Sequence, residues 1–176
     1  HIAGTLIADF GVSPARITVA SPGFARPSAP QMPMSPPLIL SVGLLAHRKG
    51  HDVLIEALNR ISDLPWQAEI IGRRQDPVYT RALETQISQA RLTTRITLCG
   101  EVDYDTMHAA YRRASLFALA TRYEGYGMVL SEAMLHGLPV VSCAVGAVPG
   151  TVGDAGHLVP PNDPAAFSTV LRGLLD

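Results

Sequence analysis

From residue 38 onward, short runs of Val, Ile and Leu recur, several of them stopped by glycine and separated by stretches of helical periodicity. The strand-like runs are 38–42 (ending at Gly43), 67–71 (ending at Gly72), 95–98 (ending near Gly100), 116–119, 139–142 and 156–159. Between them, 51–61 carries Val53, Leu54, Ala57, Leu58 and Ile61 on one helical face. Residues 77–90, 105–113, 126–136 and 163–175 also read as helices. Pro77 is tolerated in a first turn, Gly137 is a left-handed stop, and Asp163 is placed to cap the last helix. The strands have few polar alternations, so both faces are expected to be buried, as in a parallel sheet covered by helices. The predicted fold class is α/β, a Rossmann-like doubly wound parallel sheet. Sites in such sheets lie at the carboxyl ends of strands. Chemistry is therefore sought in the loops after Val42, Ile71, Leu98, Leu119 and Ser142.

The region before residue 38 reads differently. Residues 22–37 hold Pro22, Pro27, Pro30, Pro33, Pro36 and Pro37. Each proline removes an amide donor and fixes φ, which excludes helix or central strand. The expected organisation is 1–37 as the remnant of an N-terminal domain plus a Pro-rich connector, and 38–176 as one domain. Residues 1–21 are expected to hold one helix-like stretch and one strand. The start lacks an initiator Met and the features of a signal peptide, so a chain cut from something longer is expected.

Composition narrows the function classes. The chain is 47% hydrophobic with a formal net charge of −1. No basic field is available for a nucleic-acid backbone, so no nucleic-acid partner is expected. No apolar run approaches the roughly 18–20 residues of a membrane span. Cys99 and Cys143 lie in apolar runs and read as two reduced core residues, which suits a cytoplasmic location.

Three constellations are candidates for chemistry. The first runs from Glu124 to Glu132, two carboxylates eight positions apart with Gly125 and Gly127 between them. Glu124 falls in a strand-to-helix turn and Glu132 in the helix. That helix is apolar nearly all round and is expected to be buried, where a carboxylate needs partners. One reading is a diphosphate at the helix start, with Glu132 accepting from vicinal hydroxyls. The other is a turn with two solvated acids, Glu132 pairing with His136. The residues alone leave both open. The second constellation is 43–50, where Arg48 and Lys49 stand at a helix start. Cations there oppose the helix dipole, which favours a functional reading over ordinary surface charge. The third, 146–150, is a glycine-rich turn and weak alone. Asp103-Tyr104-Asp105 matches the Asp-x-Asp pattern of metal–diphosphate sites, but it opens a helix and reads as a cap. The six histidines are scattered without metal-ligand spacing, and no metal site is read.

At these residues the sequence resembles a known family. VGLLAHRKGHDVLIEAL, ITLCGEV, LATRYEGYGMVLSEAMLHGLPVVSCAVGAVPGTV and GHLVPPNDPAAF are similar, in that order, to the C-terminal domain of group 1 retaining glycosyltransferases of the GT-B fold. The resemblance covers about residues 38–176. TLIADFGVSPARITVASPGF, residues 5–24, resembles the end of the family's N-terminal domain and its crossover.

The resemblance implies donor-site roles residue by residue. Lys49 matches the basic residue that holds donor phosphate, and Glu132 the acid that binds ribose hydroxyls. Glu124 matches the acid near the sugar and reaction centre, so Glu124 and Lys49 are the implied catalytic pair. Gly127, Met128 and Val129 supply amides toward sugar and phosphate, with Gly125 and Tyr126 in the same turn. Gly100, Glu101 and Val102 flank the base, and Gly43 opens the phosphate loop. Many members have Arg directly after that glycine; here it is Leu44, so either Arg48 or Arg73 substitutes or phosphate is held more weakly.

The implied reaction transfers a sugar from a nucleoside diphosphate sugar to an acceptor hydroxyl with retention. No cofactor is needed beyond that donor substrate. Charge on the leaving β-phosphate would be met by Lys49 and helix amides. The acceptor, and any peripheral membrane association, are expected only through the absent N-terminal domain. The chain alone should bind donor and hardly turn over. The alternatives are a nucleotide-sugar epimerase half on the same fold and a non-catalytic flavodoxin-like nucleotide-binding module. A receiver-type module would need an acidic cluster where Gly43, Leu44 and Leu45 stand.

Overall fold

The computed structural model describes every residue except His1, Ser21, Ala25, Arg26 and Ser28. Six strands form one parallel sheet: β1 Leu38–Val42, β2 Gln67–Ile71, β3 Ile96–Gly100, β4 Leu116–Leu119, β5 Val140–Cys143 and β6 His157–Val159. Their order is β3-β2-β1-β4-β5-β6. The chain winds outward from β1 in one direction, then restarts at β4 in the other. The switch point therefore lies between β1 and β4, which pair at Ile39↔Leu116 and Leu40↔Phe117. In an open α/β sheet, that is where a crevice opens beyond the strand ends.

The helices are α1 Ile2–Ala8, α2 His51–Asn59, α3 Pro77–Gln89, α4 Tyr104–Arg113, α5 Met128–Leu135, α6 Val148–Val152 and α7 Pro164–Leu175. Successive strand residues face opposite sides, and the burial follows that rule. Ile39, Ile70, Ala118 and Val141 join one core with Leu54, Leu58, Leu83 and Phe167. Leu40, Ile71, Phe117 and Val140 join the other with Tyr111, Leu130 and Ala133. β1, β4 and β5 are buried along their whole length. The near-continuous Val/Ile/Leu runs are thus the signature of a sheet covered on both sides.

Asp76, Asp103 and Asp163 cap α3, α4 and α7 through their carboxylates. Asp103 accepts from the Thr106 amide at 2.8 Å, which is the cap expected of the Asp-x-Asp run. Both cysteines are free; Cys143 is buried, which pushes its thiol up to about 11, while Cys99 is only half-buried. Among the described residues, no helix is long and apolar enough to cross a membrane.

Three expectations need correction. The strand expected within residues 1–21 is not found among the described residues; α1 and a 3-10 turn at Pro14–Arg16 are present, and residues 17–20 form no strand. The glycine-rich turn at 146–150 runs into a short helix, α6, because Pro149 fits a first turn. α5 is not buried all round. Only Leu130 and Ala133 are buried, while Met128 is 50% and Leu135 40% exposed. This helix covers the sheet with one face and turns its other apolar side to a cavity. The described residues of the Pro-rich connector form neither helix nor strand, and they lie against the end of α4: the amides of Met32 and Met34 donate to the carbonyls of Arg112 and Arg113.

Candidate functional site

The loop leaving β1 folds into a 3-10 turn, His47–Lys49, and enters α2 through Gly50. Gly50 has φ 66°, and a Cβ there would sit 1.9 Å from the Ala120 carbonyl oxygen. The loop therefore presses backbone to backbone against the end of β4. The Arg122 amide donates to Arg48 O at 2.8 Å, and the Thr121 hydroxyl lies 3.0 Å from the same carbonyl. This docking carries Lys49 inward. It is 7% exposed, its stem lies along Gly43, and Nζ donates to Glu124 Oε2 at 2.5 Å. Two residues 75 positions apart thus form an ion pair with side chains only 9% and 12% exposed.

Glu124 is held from behind. A Cβ on Gly146, which has φ 53°, would lie 2.2 Å from Glu124 O, and the Ala147 amide donates to that oxygen at 3.0 Å. The turn that looked weak in sequence is the backing of the Glu124 loop. Beyond Glu124, Gly127 starts α5 with no side-chain cap. The first amides of a helix have no intrahelical partner and concentrate positive partial charge. Glu124 Cγ is 3.5 Å from where a Gly127 Cβ would stand, so the ion pair lies against this helix start. Lys49, Glu124, Gly43, Gly125, Tyr126, Gly127, Met128 and Val129 are brought together at or beside the switch point.

Glu132 is one turn further along α5. It does not pair with His136: Tyr111 Oη donates to Glu132 Oε2 at 2.9 Å. The Tyr111 ring stacks on His136, with centroids 5.0 Å apart and planes at 9°. Burial, then the neighbouring Glu132 carboxylate, push the Tyr111 phenol far above its ordinary range. A cavity of about 280 Å³ opens here, walled by Phe24, Tyr104, His108, Met128, Glu132 and His136 among others.

The other predicted residues are placed less tightly. Gly100, Glu101 and Val102 lie at the carboxyl end of β3, two strands from β1, with Glu101 exposed. Arg48 and Arg73 are exposed and have no ion-pair partner among the described residues. Arg73 does follow Gly72, whose backbone packs on Gly43 O, so it stands beside the β1 loop. Among the described residues, no group of three or more His, Cys, Asp or Glu is placed to hold a metal ion.

Sequence reasoning missed the brace of this site. Arg122 forks onto Asp52 at 2.8 and 2.7 Å and also donates to His47 O and Asn162 Oδ1. Tyr79 Oη donates to Asp52 at 2.6 Å. Burial would raise the Asp52 carboxyl, but Arg122 and Tyr79 outweigh it and hold it at about 2. These residues come from α2, α3, the loop after β4 and the loop before α7. The one signal available in the sequence was a cation, Arg122, two residues before Glu124.

His51 supports the same loop from below. Its side chain is fully buried, with Nε2 3.2 Å from Leu44 O and 3.3 Å from Gly43 O. Both contacts are to acceptors, so Nε2 carries the proton in the neutral ring. Burial lowers its pKa from 6.5 to about 4. Between those values the unfolded chain binds a proton that the folded chain refuses, so stability falls as pH drops from about 6.5 toward 4. The loss from this group should be about 3 kcal/mol. Urea unfolding of wild type and His51→Gln at pH 7 and pH 4.5 checks it. The variant should show a clearly shallower pH dependence; identical slopes would refute the assignment.

A sequence profile of the family described as "Glycosyl transferases group 1" matches residues 36–176. The chain belongs to that family. This group 1 glycosyltransferase chain is 34% identical over 146 residues to the D-inositol 3-phosphate glycosyltransferase of Xylanimonas cellulosilytica, covering 82% of the chain and 35% of that relative. Among solved structures, it is similar to the C-terminal domain of a group 1 glycosyl transferase, LpcC, of Francisella tularensis, with TM-score 0.72 and 27% identity, covering 79% of the chain and 75% of that domain. It is also similar to Anabaena HepE in complex with UDP-glucose, with TM-score 0.71 and 25% identity, covering 79% of the chain and 39% of HepE. The group 1 chain spans less than half the length of the curated relatives it matches first.

Proposed function

We propose that this chain is the donor-binding part of a retaining glycosyltransferase that takes sugar from a nucleoside diphosphate sugar. The observation that carries this is the Lys49–Glu124 pair set against the uncapped start of α5 at the β1/β4 switch point. A buried ammonium beside open helix amides is a ready site for a diphosphate. Glu132 lies on the same helix and lines the cavity, which supports a role for it on the hydroxyls of the attached ribose. HepE, a structural neighbour, has been solved with UDP-glucose.

In this reading the diphosphate takes over part of the Lys49 charge now shared with Glu124. As the glycosidic bond loosens, negative charge grows on the β-phosphate, and Lys49 with the amides of Gly127, Met128 and Val129 stabilises it electrostatically. Glu124, released from Lys49, faces the sugar. Arg73 is the substitute for the family Arg at Leu44, being beside the β1 loop. Gly100, Glu101 and Val102 flank the base. The acceptor pocket belongs to the part of the relatives' length that this chain does not match.

Titration calorimetry with UDP, GDP and ADP, in magnesium and in chelator, tests the reading. Binding of at least one nucleotide is expected in both conditions. No binding at all, or binding only with magnesium, would overturn it. Glu132→Ala is expected to weaken the same binding by at least about 100-fold, since two hydrogen bonds to a charged acceptor are worth about 1.5 kcal/mol each at the low end of their range. Its melting temperature should stay within a few degrees; normal binding with a much lower melt would make Glu132 a structural residue.

A further inference from the structure

We infer that Tyr111 is a positioning residue that sets the ribose selectivity of the donor site, an inference resting on the donor reading above. Glutamate on a helix has several rotamers, and one carboxylate oxygen must be aimed into the cavity for vicinal hydroxyls to be read. Tyr111 makes that choice. Its hydroxyl has one proton and two acceptors in range: Glu132 Oε2 at 2.9 Å and Val129 O at 3.4 Å. The nearer, charged acceptor wins. Oε2 is thereby tied to the protein, and no described residue hydrogen-bonds Oε1.

The anchor itself cannot swing. Tyr111 is 1% exposed. One ring face stacks on His136, and Phe117 stacks at 6.1 Å with planes at 20°. The hydroxyl is therefore fixed by the core from which α4 rises, while the carboxylate it holds lines the cavity. Preorganisation of this kind adds affinity by removing rotamer freedom before the ligand arrives. It should act only on ligands that carry the hydroxyls Glu132 reads.

The test pairs the best-bound nucleoside diphosphate with its 2′,3′-dideoxy counterpart. Wild type should prefer the ribose form by about 100-fold, the sum of two charge-assisted bonds at the low end of their range. Tyr111→Phe keeps the ring stack and removes only the hydroxyl; it should cut the preference about tenfold and leave the dideoxy affinity within about twofold. In a Glu132→Ala background, Tyr111→Phe should change neither affinity further. An unchanged ribose preference in Tyr111→Phe, or equal loss for both ligands, overturns the inference while leaving the donor reading intact. Failure of wild type to bind any nucleoside diphosphate overturns both, and is seen before any variant is made.

Discussion

Lys49→Met is expected to reduce nucleoside diphosphate affinity by at least about 100-fold. The ammonium is the only buried cation found at the switch point among the described residues, and each hydrogen bond from a charged group to phosphate is worth about 1.5–3 kcal/mol. The substitution has a second consequence. Glu124 would be left without its partner in a place where its side chain is only 12% exposed. Removing one member of a buried pair costs about 3–5 kcal/mol, because the remaining charge is uncompensated. The single variant should therefore be less stable as well as weaker in binding. Adding Glu124→Gln separates the effects: stability should largely return, while binding should not. Denaturant unfolding and calorimetry on the two variants supply the comparison. A double variant that regained wild-type affinity would remove Lys49 from the diphosphate site.

The second large effect concerns backbone contact. Gly50→Ala is expected to cost on the order of 4 kcal/mol, because a Cβ at 1.9 Å from Ala120 O forces the β1 loop away from β4. For a chain of this size that corresponds to a fall of about 10 °C in melting temperature. Gly137→Ala is the control. Gly137 has φ 71°, close to the 66° of Gly50, but nothing lies within 4 Å of a Cβ there. It carries only the left-handed backbone penalty of about 1–2 kcal/mol. If both variants melted alike, the loop-to-strand contact would not be what holds the site together. Because Lys49 precedes Gly50, the Gly50 variant should also bind nucleotide poorly.

The contrast between these glycines shows where sequence reading stops. Gly137 was legible as a helix stop, because it follows an apolar helical run and the requirement is local. Gly50 and Gly146 were legible only as turn residues. What they touch, Ala120 O and Glu124 O, lies far along the chain, and nothing in the glycines themselves reports it. The same distinction divides the rest. The six strands were placed within one or two residues because burial on both faces writes itself into Val, Ile and Leu runs. The Glu124 and Glu132 spacing was visible, but their partners were not. Lys49 reaches Glu124 across 75 positions, Arg122 reaches Asp52 across 70, and Tyr111 reaches Glu132 across 21. α5 misled because its composition is apolar on all sides, whereas the fold uses one face for the core and another for the cavity. The cap residues Asp76, Asp103 and Asp163 sit one residue ahead of their helices, which is why Asp163 and the Asp-x-Asp run could be assigned without the structure.

The central claim is that the β1/β4 switch point holds a nucleoside diphosphate. A crystal structure of the chain grown with the tightest-binding nucleotide tests it most directly. The account predicts phosphate oxygens within about 3 Å of Lys49 Nζ and of the first amides of α5, with ribose hydroxyls on Glu132 and the base toward Gly100–Val102. A nucleotide bound with its phosphates elsewhere, while the Lys49–Glu124 pair stayed closed, would contradict it.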